Sequence, residues 1–198
     1  TEGTGKLLGH WNRTKTSNSV HEPSVVLSEP QLPTYSFAVT VAVALGANDH
    51  LIQIMAGNLN RVILRRLTVW QLAAAGTAAL DVFQLLRLTT AGTGGTAYTN
   101  RALDPTSEVS AAAVRAGLTA SKGTEGNILW TGTGLLLAAA TLITTPNTPV
   151  IDLRWDDPRI QPPTIAAGTS NGLALKNITS ITSATVHIYG EYSEVYWS

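Results

Sequence analysis

The side chains able to do chemistry in this chain of 198 residues are few and scattered. His10, His21, His50 and His187 stand in separate segments, and none has a partner at the i,i+4 or H-x-H spacing that puts two imidazoles on one metal ion. Each reads as a surface residue or a satisfied core residue. Asp152, Asp156 and Asp157 are the one acidic cluster, but Arg154 and Arg159 lie among them and the D-x-D-x-D-G series of a calcium loop is missing. Ion pairing with those arginines is the simpler use of the cluster. A glycosidase needs two carboxylates brought together from distant strands, and no pair here announces itself. Neither G-x-S-x-G nor S-x-x-K with its companion motifs occurs. The run Gly92–Gly95 lacks the lysine of a phosphate-binding loop and reads as a loop or hairpin. The chain has no cysteine, which removes disulfides, thiolate metal sites and thiol catalysis. No catalytic residue, metal ligand or cofactor site is assigned from the sequence, and the expectation is a protein that is not an enzyme.

What remains suits contact rather than catalysis. Arginine outnumbers lysine nine to four, and a guanidinium loses less on desolvation than an ammonium and meets carboxylates in a fixed fork. Trp11, Tyr192, Tyr196 and Trp197 place aromatic rings near both ends of the chain. Leu7, Leu8, Trp11, Val25, Val26, Leu27, Tyr196 and Trp197 are the candidate interface residues. The charge balance is 13 basic against 13 acidic side chains, and only 13% of residues are charged, against about 25% in an ordinary soluble domain. Thr supplies about one residue in seven. A neutral chain has no surplus of cations to displace counterions from a polyanion, so neither nucleic acid nor an anionic membrane is an expected partner. The apolar run Ile128–Ile143 is interrupted by Thr131, Gly132, Thr133 and Gly134 and falls short of the roughly 20 residues a spanning helix needs. Thr1, Glu2, Gly3 and Lys6 do not make the basic-then-apolar pattern of a secretory leader.

The elements that must position these residues are strands. Residues 1–34 hold six charged side chains, Pro23, Pro30 and Pro33, and little periodicity, which predicts an extended N-terminal arm, ordered on a neighbouring subunit or else a free tail. Residues 35–198 form the domain. From Tyr35 to Leu45 large apolar residues take every odd position and Ser, Thr or Ala every even one, a period of two. Gly46–Asp49 is a turn, and Leu51–Met55 runs back. In Arg61–Leu72 the alternation slips at Arg65-Arg66, where a bulge would return Val62, Leu64, Leu67 and Val69 to one face. A strand at about 79–89 follows. Val109–Thr119 is either a strand or a helical turn. The run 128–143 is expected to break into two strands at Gly132–Gly134. Val150–Trp155, Asn171–Ile178 and Thr185–Trp197 are the last strands, and Asp156–Pro163 is a loop because its prolines exclude a central strand. Eight or more strands with turns every 8–12 residues predict an all-β fold, a jelly roll or related β-sandwich.

Two stretches carry a resemblance. Leu85–Leu118 (LLRLTTAGTGGTAYTNRALDPTSEVSAAAVRAGL) and Ile165–Glu194 (IAAGTSNGLALKNITSITSATVHIYGEYSE) are similar to small tailed-phage virion proteins. In those, a strand ending in R-x-T leads to a GGT-A-x-T loop, an x-LD segment and an Ala-rich stretch, and G-x-A-x-x-N precedes an aromatic last strand. The resemblance implies a jelly-roll capsid cement or decoration protein on the capsid surface of the virion. Such a protein works as a homo-oligomer, with a trimer favoured, and its partner is the major capsid protein. It supplies no site residues, and residues 1–34 lie outside it. The competing reading is a carbohydrate- or receptor-binding β-sandwich of a virion in which Trp130, Trp155 or Tyr98 stacks on sugar rings.

Overall fold

The computed structural model describes residues 10–15, 18–23, 32–42, 46–73, 75, 79–138, 149–155, 157, 159–179 and 184–196, with strand placement only, and not side chains, for 10–15, 18–23, 42, 73 and 79. Leu7, Leu8, Val25, Val26, Leu27 and Trp197 therefore lie outside the described residues, as does the side chain of Trp11. The chain divides into two compact units, Thr1–Gln31 and Leu32–Ser198. In the first, β1 (His10–Lys15) and β2 (Asn18–Pro23) pair antiparallel, from His10 opposite Pro23 to Lys15 opposite Asn18.

The second unit is built by the alternation seen in its first strand. In β3 (Thr34–Ala42) Tyr35, Phe37, Val39 and Val41 turn into the core. The strands that follow are β4 (His50–Met55), β5 (Asn60–Ala73), β6 (Ala79–Leu88), β7 (Thr96–Tyr98), β8 (Arg101–Ala102), β9 (Ala113–Leu118), β10 (Glu125–Leu136), β11 (Ile151–Arg154), β12 (Thr164–Ile165), β13 (Gly172–Asn177) and β14 (Thr185–Tyr196). One sheet has the order β11-β5-β14-β3-β8, with β12 also on β5, and the other the order β10-β6-β13-β4-β9-β7. All of these pairings are antiparallel. The two sheets pack face to face over one core drawn from both. Without the short strands the orders are β3-β14-β5-β11 and β4-β13-β6-β10, two interleaved Greek keys in jelly-roll order. Strands β7, β8 and β9 are an insertion between β6 and β10. Among the described residues there is no helix, and Val109–Thr119 resolves as the strand β9.

The slip at Arg65-Arg66 is a bulge. Glu191 faces Arg66 and Tyr192 faces Leu64, leaving Arg65 as the extra residue. Val62, Leu64, Leu67 and Val69 consequently all reach the core. The expected break at Gly132–Gly134 does not occur, because β10 runs unbroken from Glu125 to Leu136. Its glycines make room: a Cβ on Gly134 would lie 2.4 Å from Val150 and 2.9 Å from the Phe83 ring. In β14 the same device appears at Gly190, where a Cβ would meet the Phe37 ring at 2.2 Å. The large residue on one strand is accommodated by the missing side chain on another.

Two polar clusters hold the insertion. Glu194, on the inward side of β14, is fully buried. Its carboxylate accepts from Asn60 Nδ2 at 2.6 Å, Ser110 Oγ at 2.5 Å, Ala111 N at 3.2 Å and Ala112 N at 3.1 Å. Tyr192 OH lies 2.6 Å from the same Ser110 hydroxyl and its ring stacks on Tyr35, centroids 5.6 Å apart. The segment leading into β9 is thereby tied to β14 and β5. On the outer face of β4, Gln53 accepts from Gly92 N at 3.1 Å and donates to Lys122 O and to His50 Nδ1, at 2.5 and 2.7 Å. With Nδ1 accepting, His50 carries its proton on Nε2, 2.9 Å from Glu125 Oε1, and Lys176 holds the other Glu125 oxygen at 2.8 Å. Burial pushes the His50 imidazole below its ordinary value, a shift that the Glu125 contact only partly offsets. The loops before β7 and after β9 thus cover β4, which is buried on both faces.

Replacing Glu194 by Gln puts an amide NH2 against at least one of the two backbone N–H groups, since each carboxylate oxygen receives one. Glu194→Gln is expected to lose about 2–4 kcal/mol, read as a fall in urea midpoint at unchanged slope; a loss below about 0.5 kcal/mol would contradict this role for the carboxylate. Asp81 is the opposite case. Its Oδ1 receives Val82 N, Thr179 N and the Thr179 hydroxyl, while Oδ2 is buried without a partner. Burial pushes its carboxyl up to about 6, the backbone donors opposing. The folded state therefore binds this proton more readily than the unfolded chain, and stability is lost as pH rises from about 4 through about 6. Asp81→Asn is expected to remove roughly 2–3 kcal/mol of that loss, measured as the wild-type-to-variant difference in unfolding free energy at about pH 4 and pH 7. His50 and Glu125 titrate alike in both proteins and cancel from the comparison.

Candidate functional site

The bulge at Arg65 also decides where the surface opens. Below it β5 pairs with β12, through Val62 and Ile63; above it β5 pairs with β11, through Arg66 to Val69. The chain between these two partners leaves the sheet as a loop, stapled at one end by Trp155 N on Arg65 O at 2.9 Å and at the other by Leu64 N on Pro163 O at 3.0 Å. An Asx turn at Asp157, accepting from Arg159 N at 2.9 Å, shapes its tip. Pro162 and Pro163 keep the returning chain extended and out of the ladder.

Beside this loop lies a cleft of about 570 Å³ lined by residues of β10 and β11, end strands of their sheets among the described residues, within the range of small-ligand sites. Leu85, Leu129, Trp130, Leu153 and Trp155 give its lining apolar and aromatic surface, and Arg87, Asp152, Arg154 and the stretch from Gln161 to Thr164 complete it. Trp130 lies across the backbone of Gly132, where a Cβ would sit 2.2 Å from the indole. Arg87 enters from β6 and donates to Thr164 O at 2.8 Å. Asp152 accepts from Thr68 Oγ1 and from Arg154, both at 2.8 Å, with Arg66 3.6 Å away. Arg154 above all, then Thr68 and Arg66, holds the Asp152 carboxyl below the usual carboxylate range, so it is ionised. Ion pairing, the use the sequence suggests for the acidic cluster, is seen at Asp152, whereas Asp157 takes the Arg159 backbone N–H and Asp156 lies outside the described residues. Among the described residues no three His, Asp or Glu side chains gather as metal ligands, and no helix is long and apolar enough to cross a membrane.

A second feature adjoins the cleft. On the outer face of β10 and β6, Leu135 stands directly opposite Leu80, and both are more than half exposed, as is Ile128. Thr131 and Thr133 are exposed between them. No charged residue occurs from Gly126 to Ile151, and β10 has no partner on its other side among the described residues.

Of the residues singled out by sequence, Trp130 and Trp155 come together in the cleft and Tyr98 does not; it sits on β7 with its OH 3.4 Å from Thr40 O. Tyr196 is half exposed and its OH meets Glu108 at 2.5 Å, away from the β10 edge strand. Arg87, Gln161 and the exposed leucines of β6 and β10 carry no local motif. The parity of β6 was a signal for Arg87 alone, which shares the inward face with Phe83 and Leu85. Comparison with protein-family models, curated proteins and solved structures finds no match for this chain.

Gly132→Ala is expected to displace the Trp130 indole and to overpack the cleft wall, at about 1–3 kcal/mol, with tryptophan emission moving to longer wavelength. Unchanged emission and stability would show that the indole does not rest on that backbone.

Proposed function

We propose that this chain is a structural virion protein of a tailed phage, a capsid cement or decoration protein that assembles as a homo-oligomer, a trimer, and stabilises the shell by binding the major capsid protein. The observation that carries the reading is the outer face of β10 and its edge, unpaired among the described residues, in a strand twelve residues long and uncharged beyond Glu125. A long strand edge offers a row of unpaired backbone groups to another chain, and a lysine there is the usual block to such pairing. Here no lysine occurs, and Leu80, Ile128 and Leu135 add apolar surface of the kind that marks protein contacts. The jelly-roll order and the low charge of the whole chain fit the same role, as does the likeness of Leu85–Leu118 and Ile165–Glu194 to tailed-phage virion proteins. The arm read from the sequence, residues 1–34, of which Thr1–Gln31 form a unit of their own, would bind a neighbour without a second core.

The test combines two variants with native mass spectrometry and co-sedimentation on shells. Thr131→Lys with Thr133→Lys, both at exposed positions, is expected to leave the subunit within about 0.5 kcal/mol of wild type and to convert the trimer to monomer. Removal of residues 1–31 is expected to weaken attachment to the shell. A monomeric truncation that attaches fully would overturn the reading.

A further inference from the structure

The cleft has chemistry that assembly does not use. Trp130 and Trp155, both partly buried against the core, line one cavity together with Leu85 and Leu153, and an indole suits the flat, C–H-lined face of a pyranose. The charged residues of the lining are Arg87, Arg154 and Asp152, two cations and one anion. Asp152 is answered by Arg154 and Arg66. Arg87 is not: its described bond goes to a neutral carbonyl, Thr164 O, and it has no carboxylate partner among the described residues. A guanidinium in a partly dry, aromatic cleft favours a carboxylate, which it meets in a bidentate fork. Gln161 at the rim adds a donor and an acceptor suited to hydroxyls.

We propose that the cleft between β10 and β11 binds a saccharide carrying a carboxylate, with a sugar ring against the indoles of Trp130 and Trp155 and the acid group on Arg87. The site takes an acidic sugar in preference to its neutral counterpart, because the neutral sugar brings no anion to the guanidinium. The binding is read separately from assembly: the lysine pair on β10 reads the oligomer, removal of residues 1–31 reads shell attachment, and a saccharide titration reads the cleft.

The experiment uses the full chain, labelled with 15N and titrated with a tetraglucuronide and with the same oligosaccharide after reduction of its carboxyl groups to alcohols. The expected result is a saturable shift of two indole N–H signals with the acidic sugar, assigned to Trp130 and Trp155 by Trp→Phe replacement. Binding of the reduced sugar is expected to be weaker by roughly tenfold or more. Arg87→Gln is expected to bring the two affinities together. Because Arg87 also holds Thr164, the wild-type comparison stands on its own if that variant folds poorly. No saturable shift with the acidic sugar, equal affinity for both sugars, or shifts confined to other signals would each overturn the proposal.

Discussion

A single buried carboxylate, that of Glu194, fixes how the long insertion between β6 and β10 meets the sandwich. A carboxylate taken out of water is costly unless its oxygens are filled, and here Asn60, the Ser110 hydroxyl and two backbone amides fill them. Those partners come from β5 and from the segment leading into β9, so satisfying the charge requires that segment to lie at the end of β14. Once β9 is placed, it pairs with β4 and its flanking loops fall over the outer face of that strand. Gln53 and His50 then complete the cover from below, each with its polar atoms paired.

The other end of the molecule is governed by a bulge. Arg65 keeps both halves of β5 facing the core, and the same extra residue marks where β11 gives way to β12. The loop expelled between them forms the rim of the cleft. Glycines set the rest of its shape: Gly132 carries the Trp130 indole, and Gly134 admits Val150 and Phe83. Side-chain volume removed from β10 is thus replaced by rings and branches from neighbours, which is how an edge strand poor in large inward residues still closes a core.

Much of this was legible in the residues. The two-residue period of Tyr35–Leu45 and the slip at Arg65-Arg66 are local patterns, and both appear as expected in β3 and β5, with residues 43–45 outside the described part. The prolines after Trp155 and the Asp152–Arg154 pairing were equally local. Glu194 was not readable, because its ligands lie 82 to 134 positions away and its parity with Tyr192 says only that it faces inward. The glycines of β10 misled for a related reason. Taken alone, Gly-Thr-Gly weakens a strand, whereas in the fold those glycines receive Trp130, Val150 and Phe83. Trp130 and Trp155 could be named as contact rings, but their meeting in one cleft depends on two edge strands that are 15 residues or more apart in the chain.

The proposed role places the working contact on the uncharged edge of β10. Amide hydrogen exchange, run on the Thr131→Lys, Thr133→Lys monomer and on the wild-type trimer, reads that edge directly. The proposed role predicts that amides of 126–136 facing away from β6 exchange freely in the monomer and are protected in the trimer. Equal exchange of that edge in both states, with protection in the trimer confined to other parts of the domain, would contradict it.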